Sequence, residues 1–352
     1  PLGSADFNNE FGRPVVCGYF RSFELTTKYF NWGYDKPIML AGGIGLIHET
    51  NVRKKNLDPD DLIVILGGPG FKIGVGGGAA SSMFSGVNDN ELDFKSVQRG
   101  NAEMQRRAQE VISACANSPR QNPIKSIHDV GAGGLANAIP ELLYDSKVGG
   151  VIYFHRIPVN DSSMSPMEVW CNEAQERYIV GLKEKNLKTF SEFCEREKCP
   201  YSIVGKVIMD MSLKIDFKTN NSDINKSYAD TLVMPLSFLF DHKMKLERHI
   251  SRVELQQKLP EFEEELVDLD SALDQVLAHP TVASKNFLVT IADRSVGGLT
   301  ARDQMVGPWQ TPVSNVSVIL KDFKSYSGFA LALGERPPVA ILDVPSSVRL
   351  SF

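Results

Sequence analysis

The stretch KIGVGGGAASSM, residues 72–83, concentrates glycine at Gly74, Gly76, Gly77 and Gly78. It follows an apolar segment directly, and the small residues after it resemble the start of a helix. Backbone N–H groups in such a loop can approach an anion, and a helix N-terminus adds partial positive charge. The spacing matches neither the P-loop nor the dinucleotide fingerprint, and a tightly packed turn is the alternative. The glycine loop, as residues 72–83 are called below, is therefore a candidate anion site with both interpretations open.

A carboxylate suited to a metal ion lies in SIHDVGAGGL, residues 126–135. Asp129 ends an apolar segment there and precedes a second glycine turn. Magnesium usually takes one or two carboxylates and completes its shell with phosphate oxygens and water. Asp129 could instead cap the following turn, and His128 is more typical of a packed or hydrogen-bonded histidine than of a catalyst. The segment indicates a Mg²⁺ ligand or a local structural role.

Polar side chains crowd the stretch EVWCNEAQERY, residues 168–178, as Glu173, Gln175, Glu176 and Arg177. Upstream, SVQRGN presents Gln98 and Arg99 immediately before a helix. Amide side chains such as Gln98 and Gln175 suit a ligand that carries amide or hydroxyl groups. Glu173 and Arg177 could equally form an i, i+4 ion pair on a solvated helical face.

The elements that would position these residues follow from apolar periodicity. Residues 101–117 predict an amphipathic helix that Asn101 can cap, and a second helix is predicted over 135–143. The strand patterns are apolar and short, and they fall at 36–47, 61–68, 149–154, 175–182, 201–208 and 212–217. Strands mixed with helices in no regular βαβ order predict an α+β fold.

Composition narrows the class of protein. The chain has 352 residues, 42% of them hydrophobic, with a formal net charge of -5. There is no basic run, no apolar stretch long enough to span a bilayer and no signal peptide, so we expect no nucleic-acid or membrane partner. The five cysteines are unevenly spaced, which favours reduced thiols in the cytoplasm over a metal half-site at Cys194 and Cys199.

Changes in charge and in apolar pattern along the chain predict its domains. PLGS, residues 1–4, is typical of a cleaved purification tag and is set aside. Residues 5–240 are expected to form the first domain. A charged segment with a helical pattern at 241–264 is predicted to be a linker, and residues 265–352 are predicted to be the beginning of a second, incomplete domain.

Four motifs in one order carry a family resemblance. VGGGAASSM, DFKSVQRGN, HDVGAGGL and NEAQER together resemble phosphoribosylformylglycinamidine synthase, the amidotransferase of purine biosynthesis. NEFGRPV before them and DRSVGGLTARDQMVGPWQTPV after them fit the same family. The resemblance implies an aminoimidazole ribonucleotide synthetase-like C-terminal half over 5–240. The start of a second, N-terminal-like half would follow from 265.

The resemblance also implies an activity. Family members are ATP-dependent C–N ligases that convert formylglycinamide ribonucleotide (FGAR) and glutamine-derived ammonia to formylglycinamidine ribonucleotide. ATP and Mg²⁺ would be cofactors, and the other domains of the polypeptide, including a glutaminase domain, would be partners. The family's upstream histidine motif and glutaminase nucleophile do not occur in this sequence, so no catalytic residue is assigned and we expect the chain alone to be inactive. The alternative is a non-catalytic homologue or a scaffold fragment that binds a partner.

Residue roles carry over from the family motif by motif. The residues implied to bind FGAR are Gly76, Gly77, Gly78, Ser81, Gln98, Glu173, Ala174 and Gln175. Those implied to bind ATP are Arg21, Ser22, Phe23 and Ser314, with Phe23 as a platform for adenine. Asp129 and Asn315 fall at metal positions, but Asn315 stands where the family usually has aspartate, and a neutral amide binds Mg²⁺ less well. Ala174 stands where a serine is often found, which removes one hydroxyl donor.

Overall fold

The protein forms two compact units. The central unit is Ile44–Lys245, and the discontinuous unit combines Pro1–Gly43 with Leu246–Phe352. The structure, a computed structural model, describes residues 2–15, 19–26, 28, 31–34, 38–40, 43–72, 74, 76, 83, 87, 90, 101–118, 121–217, 231–241, 247, 249, 263–279, 282–290, 293, 296, 298–312, 314 and 316–352. The division differs from the sequence-based boundaries, because residues 5–43 group with the C-terminal part of the chain instead of with the first predicted domain.

Helices and strands are numbered along the chain. The α-helices are α1 Leu2–Asn9, α2 Ala102–Ala116, α3 Leu135–Asp145, α4 Pro166–Trp170, α5 Leu187–Arg196, α6 Leu236–Phe240, α7 Leu269–Ala278, α8 Asn286–Val289 and α9 Val344–Ser351. The strands are β1 Tyr19–Arg21, β2 Glu24–Thr26, β3 Asn31–Gly33, β4 Ile38–Leu40, β5 Leu62–Gly67, β6 Ile124–Asp129, β7 Gly149–Tyr153, β8 Arg177–Leu182, β9 Tyr201–Ile208, β10 Ser212–Asp216, β11 Thr231–Pro235, β12 Thr300–Arg302, β13 Met305–Val306, β14 Thr311–Pro312, β15 Ser317–Leu320 and β16 Gly328–Leu331. This mixture confirms the predicted α+β class.

A seven-stranded sheet organises the central unit, with the strand order β11-β10-β7-β9-β5-β8-β6. Every neighbouring pair is antiparallel except β10 and β7, which run parallel. Strand β5 lies between β9 and β8, and all six of its residues are buried. An interior strand of this kind is covered on both faces, which explains the continuous apolar run in its sequence.

Two apolar cores cover the two faces of this sheet. Ile63 and Ile65 of β5 belong to one core together with the buried face of α3. Leu62, Val64 and Leu66 belong to the other, together with residues of α2 and α5. Because side chains alternate along a strand, consecutive residues of β5 supply opposite cores. The central unit is thus a sheet between layers of helices.

Helix α2 was predicted over 101–117 and begins as its sequence indicates. The Asn101 side chain accepts a hydrogen bond from the Met104 N–H at 3.0 Å, and Glu103 lies in the first turn. Ala108, Val111 and Cys115 are its buried residues, at the helical spacing expected of a single face. This helix follows the SVQRGN motif directly, so its fixed start also fixes the end of that motif.

The discontinuous unit contains smaller sheets. Strands β12, β15 and β16 form a three-stranded antiparallel sheet, and β1–β4, β2–β3 and β13–β14 pair two by two. The prediction of one buried strand over 36–47 is wrong. Among the described residues of this range, Ile38–Leu40 forms a strand, and Ile44, Leu46 and Ile47 are exposed by 56, 70 and 65%. A pattern of apolar residues does not show whether another sheet covers them.

Residues 2–4, part of the segment predicted to be a tag remnant, belong to α1, which begins at Leu2. The apolar segment VAILDV, residues 339–344, supplies the end of a 3-10 helix, Pro337–Ile341, and the start of α9. Asp343 caps α9 by accepting from the Ser346 N–H at 2.8 Å, and this local hydrogen bond favours the helix.

Candidate functional site

The NEAQER motif forms an irregular turn, residues 172–176, between α4 and β8. Helix α4 begins with a capping box in which Ser165 and Glu168 bond to each other's backbone N–H groups. Asn172, Glu173 and Glu176 are exposed by only 0, 3 and 6%, although their side chains are polar. Burial of this kind requires hydrogen-bonding partners. The turn is therefore a built polar centre, called below the NEAQ turn.

The interpretation of Glu173 and Arg177 as an ion pair on a solvated helical face is wrong. Arg177 is 2% exposed and is the first residue of β8. Its Nε donates to the Ala174 carbonyl at 2.8 Å, and its Nη2 donates to the Asn172 carbonyl at 2.7 Å. Glu176 has a φ of 61°, which ends any helical path before β8 begins.

The NEAQ turn contacts the glycine loop through Glu173. The Glu173 N–H donates to the Gly74 carbonyl at 2.7 Å, and Asn172 Nδ2 donates to the Phe71 carbonyl just before the loop. Gly76 is partly buried, and a side chain at this position would meet no atom within 4 Å. Gly77, Gly78 and Ser81 lie outside the described residues. The described part of the loop is thus held to the turn by the main-chain bond between Glu173 and Gly74.

The same glutamate reaches the second glycine turn. Glu173 Oε1 accepts from the Gly133 N–H at 3.0 Å. Gly134, the residue before α3, has a φ of 64°, and a Cβ there would lie 2.3 Å from the Asn172 carbonyl oxygen. Only glycine permits both this backbone conformation and this approach. The structure therefore brings together three motifs that are far apart in sequence.

A fourth motif joins the NEAQ turn through Glu176. Its Oε1 accepts from the Asn101 N–H at 2.8 Å, which holds the start of α2. Gln98 and Arg99, immediately upstream, lie outside the described residues. Of the substrate-binding candidates in the turn itself, Ala174 is buried and Gln175 is exposed. Glu173 makes bonds to main-chain atoms on two sides, and Gln175 is the exposed polar side chain of the turn.

Asp129 ends β6 beside the GAGG turn, and its side chain is 76% exposed. It lines an open cleft of about 370 Å³ with Lys54, Gln109, Ile112, Ile127, His128 and Tyr178. A single accessible carboxylate fits Mg²⁺ as one ligand of a shell completed by phosphate and water. In the part of the chain that the structure describes, no group of three or more His, Cys, Asp or Glu residues could hold a metal ion by itself.

His128 is a hydrogen-bonded histidine. Its Nδ1 lies 2.7 Å from the Asp129 carbonyl oxygen, and its Nε2 lies 2.5 Å from Glu141 Oε2 on α3. The ring therefore joins the end of β6 to α3 and fixes the backbone of Asp129. Glu141 was missed in the sequence because it lies in an apolar helical segment with no motif around it.

The ATP candidates lie in the discontinuous unit. Arg21 Nε is 3.0 Å from Glu335 Oε1, and the Phe23 ring lies 5.7 Å from the Tyr34 ring, centroid to centroid. Ser22 is exposed, and Ser314 Oγ donates to the Val316 carbonyl at 2.5 Å. Asn315 lies outside the described residues. Arg21 already has a carboxylate partner, so a phosphate would have to compete with Glu335 for it.

Three of the described cysteines are poorly suited to nucleophilic or metal-binding chemistry. Cys115, Cys194 and Cys199 are buried free thiols that share one apolar core. Burial raises the pKa of the Cys115 and Cys199 thiols to about 12, and it raises the pKa of Cys194 as well. Thiols with raised pKa values are poor nucleophiles and poor metal ligands at neutral pH. Among the described helices, none has the length and apolar character needed to cross a membrane.

Two models of known families match separate parts of the chain. Residues 58–218 match the family described as AIR synthase related protein, C-terminal domain. Residues 284–352 match the FGAR-AT PurM_N-like domain. The two domain matches occur in the order that the sequence motifs implied, and they confirm the expected synthetase-like halves.

Solved structures share the fold over nearly the whole chain. PurL of Thermotoga maritima complexed with FGAR is 21% identical with a TM-score of 0.63, and the match covers 99% of this chain and 50% of that one. PurLQS from the same organism is 20% identical with a TM-score of 0.62, covering 100% and 51%. PurL complexed with ATP is 19% identical with a TM-score of 0.58, covering 99% and 48%. The chain thus spans about half the length of these proteins, and the likeness shows that it shares their fold over that length.

Proposed function

We propose that this chain, whose residues 58–218 match the AIR synthase related C-terminal domain family, is part of an ATP-dependent synthase that acts on FGAR. The observation that carries the proposal is the convergence of the glycine loop, the GAGG turn and the start of α2 on the NEAQ turn. A similar fold binds FGAR in the Thermotoga maritima PurL complex, and another binds ATP. The product would be formylglycinamidine ribonucleotide, and the reaction would be a step of de novo purine biosynthesis in the cytoplasm.

The proposed reaction depends more on the positioning of the reactants than on covalent catalysis by the protein. ATP would phosphorylate the amide oxygen of FGAR to make it a leaving group, and ammonia would then displace it. Glycine loops that offer backbone N–H groups, and amide side chains such as Gln175, suit the binding of a phosphorylated amide ligand. Asp129 would hold Mg²⁺, which would neutralise phosphate charge when it is bound. The described residues of the site would bind and orient the substrate.

Other parts of the reaction would come from elsewhere. We assign ATP contacts to Arg21, Ser22, Phe23 and Ser314, and a second metal position to Asn315. Ammonia would be supplied by a glutaminase domain, and the PurLQS structure supports the idea that such proteins work with further subunits or domains. The isolated chain would accordingly bind FGAR but not complete the reaction.

Calorimetric titration of FGAR into the chain tests the proposal. We expect binding of FGAR, and weaker binding of the same compound without its 5′-phosphate. Gln175→Ala should weaken FGAR binding by about tenfold, because the exposed amide would no longer meet the ligand. Gln121→Ala is the matched control, since Gln121 is an exposed glutamine of the same unit outside the site. A chain that binds neither compound, or binds both equally, would overturn the proposed substrate site.

A further inference from the structure

A buried guanidinium lies behind the NEAQ turn. Arg177 is among the largest fully buried side chains of the protein. Three of its hydrogen bonds run to the turn, from Nε to the Ala174 carbonyl and from Nη2 to the carbonyl and the Oδ1 of Asn172. A planar guanidinium with fixed donor directions sets the relative positions of the acceptors that it joins. Arg177 therefore fixes the backbone path of the turn from inside the unit.

Asn172 extends this constraint to the glycine loop. Its Oδ1 accepts from the Ala174 N–H at 3.0 Å and from Arg177 at 3.2 Å. Its Nδ2 donates to the Phe71 carbonyl, one residue before the loop begins. On the other side, the Gly70 N–H donates to the Pro158 carbonyl at 3.0 Å and the Gly70 carbonyl accepts from the Asn160 N–H at 2.9 Å. The chain that leads into the loop is thus held from two directions.

We propose that Asn172 and Arg177 are positioning residues, which hold the entrance of the glycine loop against the NEAQ turn in the arrangement that binds the substrate. The proposal rests on the proposed function for the identity of the substrate, FGAR. It assigns no direct contact with FGAR to either residue. Asn172 acts through main-chain atoms of Phe71 and Ala174, and Arg177 acts through the main-chain carbonyls of Asn172 and Ala174.

The chemistry of the contacts favours positioning over general stability. A buried polar network is not needed for packing, because apolar side chains of similar volume often pack as well or better. What such a network supplies is one defined geometry, provided that its members are hydrogen-bonded. Here the acceptors are main-chain carbonyls and one amide oxygen of the turn that carries Glu173 and Gln175, so the defined geometry is that of the candidate site.

The variant Asn172→Asp isolates the link to the loop. An aspartate keeps the oxygen that accepts from Ala174 and Arg177, and its charge would pair with the guanidinium. It loses the N–H donor to the Phe71 carbonyl and faces that carbonyl with a second acceptor. The turn should therefore keep its internal bonds while the loop entrance is released.

Hydrogen exchange and calorimetry on the complete chain give the readouts. We expect Asn172→Asp to speed amide exchange in peptides that span 68–76, while strands β5 and β9 keep their protection and the melting temperature changes little. The dissociation constant for FGAR should rise by about tenfold. Asn186→Asp is the matched control, because Asn186 Nδ2 also donates to a distant main-chain carbonyl, that of Pro123, at 3.4 Å. The control should leave both readouts unchanged.

The outcomes separate this proposal from the proposed function. If the unmodified chain binds FGAR and the folded Asn172→Asp chain binds it equally, the positioning role is wrong and the substrate site stands. Unchanged exchange over 68–76 would also overturn the role, whether or not FGAR binds. If Asn172→Asp does not fold, Arg177→Lys carries the same test, because lysine keeps the charge and lacks the planar fork.

Discussion

The central unit and the discontinuous unit differ in how far they cover their own apolar side chains. Ile63, Ile65 and Leu66 of the central sheet are fully buried. In the discontinuous unit, Leu269, Trp309 and Phe323 are exposed by 78, 87 and 75%. Among the described residues, Met305 is the one buried hydrophobic residue outside the central unit. The central unit therefore has far more burial to stabilise it.

The comparison shows where the candidate chemistry has rigid support. The NEAQ turn is bonded to the glycine loop, the GAGG turn and helix α2, and each of these adjoins the seven-stranded sheet or a helix packed on it. The ATP candidates lie on short strands and loops of the discontinuous unit. A site on rigid elements keeps its geometry before a ligand arrives, whereas a site on weakly packed elements must be ordered by the ligand.

A pair of core truncations gives the largest expected contrast. Ile65→Ala, in the interior of the central sheet, should lower the free energy of unfolding of the central unit by about 3–4 kcal/mol. Ile319→Ala, in the half-buried strand β15, should lower the free energy of unfolding of the discontinuous unit by about 1 kcal/mol, because the truncation removes less buried apolar area. Urea titration followed by pulsed hydrogen exchange measures each unit through its own peptides. Equal losses in the two units would contradict the difference in burial.

A pair of glycine substitutions gives the next contrast. Gly134 and Gly307 have nearly the same φ, 64° and 63°, but only Gly134 has a neighbour where a Cβ would be placed. Gly307→Ala should cost about 1 kcal/mol from backbone strain alone. Gly134→Ala should cost about 2–4 kcal/mol, because the added carbon also displaces the Asn172 carbonyl. It should weaken FGAR binding as well, since the NEAQ turn would move.

The urea titration described above, followed through peptides of each unit, also measures the loss of stability in these two glycine variants. If the two alanine variants lose equal stability, the close approach between the GAGG turn and the NEAQ turn is absent. If Gly134→Ala loses stability but keeps its affinity for FGAR, the contact is structural and does not position the site.

Local sequence signals predicted the elements of the central unit because each element satisfies its own pattern. Asn101 caps α2 as its position before an apolar periodic segment indicated, and β9 has the predicted bounds, Tyr201–Ile208. These features depend on bonds and spacings within a few residues. The same holds for β5, whose unbroken apolar run required burial on both faces.

The NEAQ turn could not be predicted in this way. The i, i+4 spacing of Glu173 and Arg177 fits a helix, but their partners are Gly133 and the carbonyls of Asn172 and Ala174. Such long-range and irregular contacts leave no periodic signal. The motif resemblance pointed to these residues, and the fold adds that Glu173 joins loops while Gln175 is exposed. The exposure of apolar side chains in the discontinuous unit could not be predicted either, because it depends on which elements cover each strand.

The smallest expected effect concerns alkaline pH, which should act on the central unit. Cys115, Cys194 and Cys199 are buried there, and burial raises the pKa of each thiol above the ordinary value of 9.0. A group whose pKa is raised by folding holds its proton longer in the folded state, so its stabilising effect is complete below pH 9 and is lost as pH rises toward about 12. Cys171 has a shift of the same sign. Stability should therefore fall as pH rises through this window.

Between pH 8 and 9, each of the three buried thiols should cost about 0.4 kcal/mol, or about 1 kcal/mol together. Lys125 also has a raised pKa, from an ordinary value of 10.5, so it contributes only at higher pH. The urea midpoint of the central unit, followed by its own peptides at pH 8 and 9, measures the loss. Cys194→Ala should remove about one third of this pH dependence, because one ionisable thiol is gone. A variant without all three thiols that keeps the full pH dependence would assign the loss to other groups and would remove alkaline pH as a way to distinguish the two units.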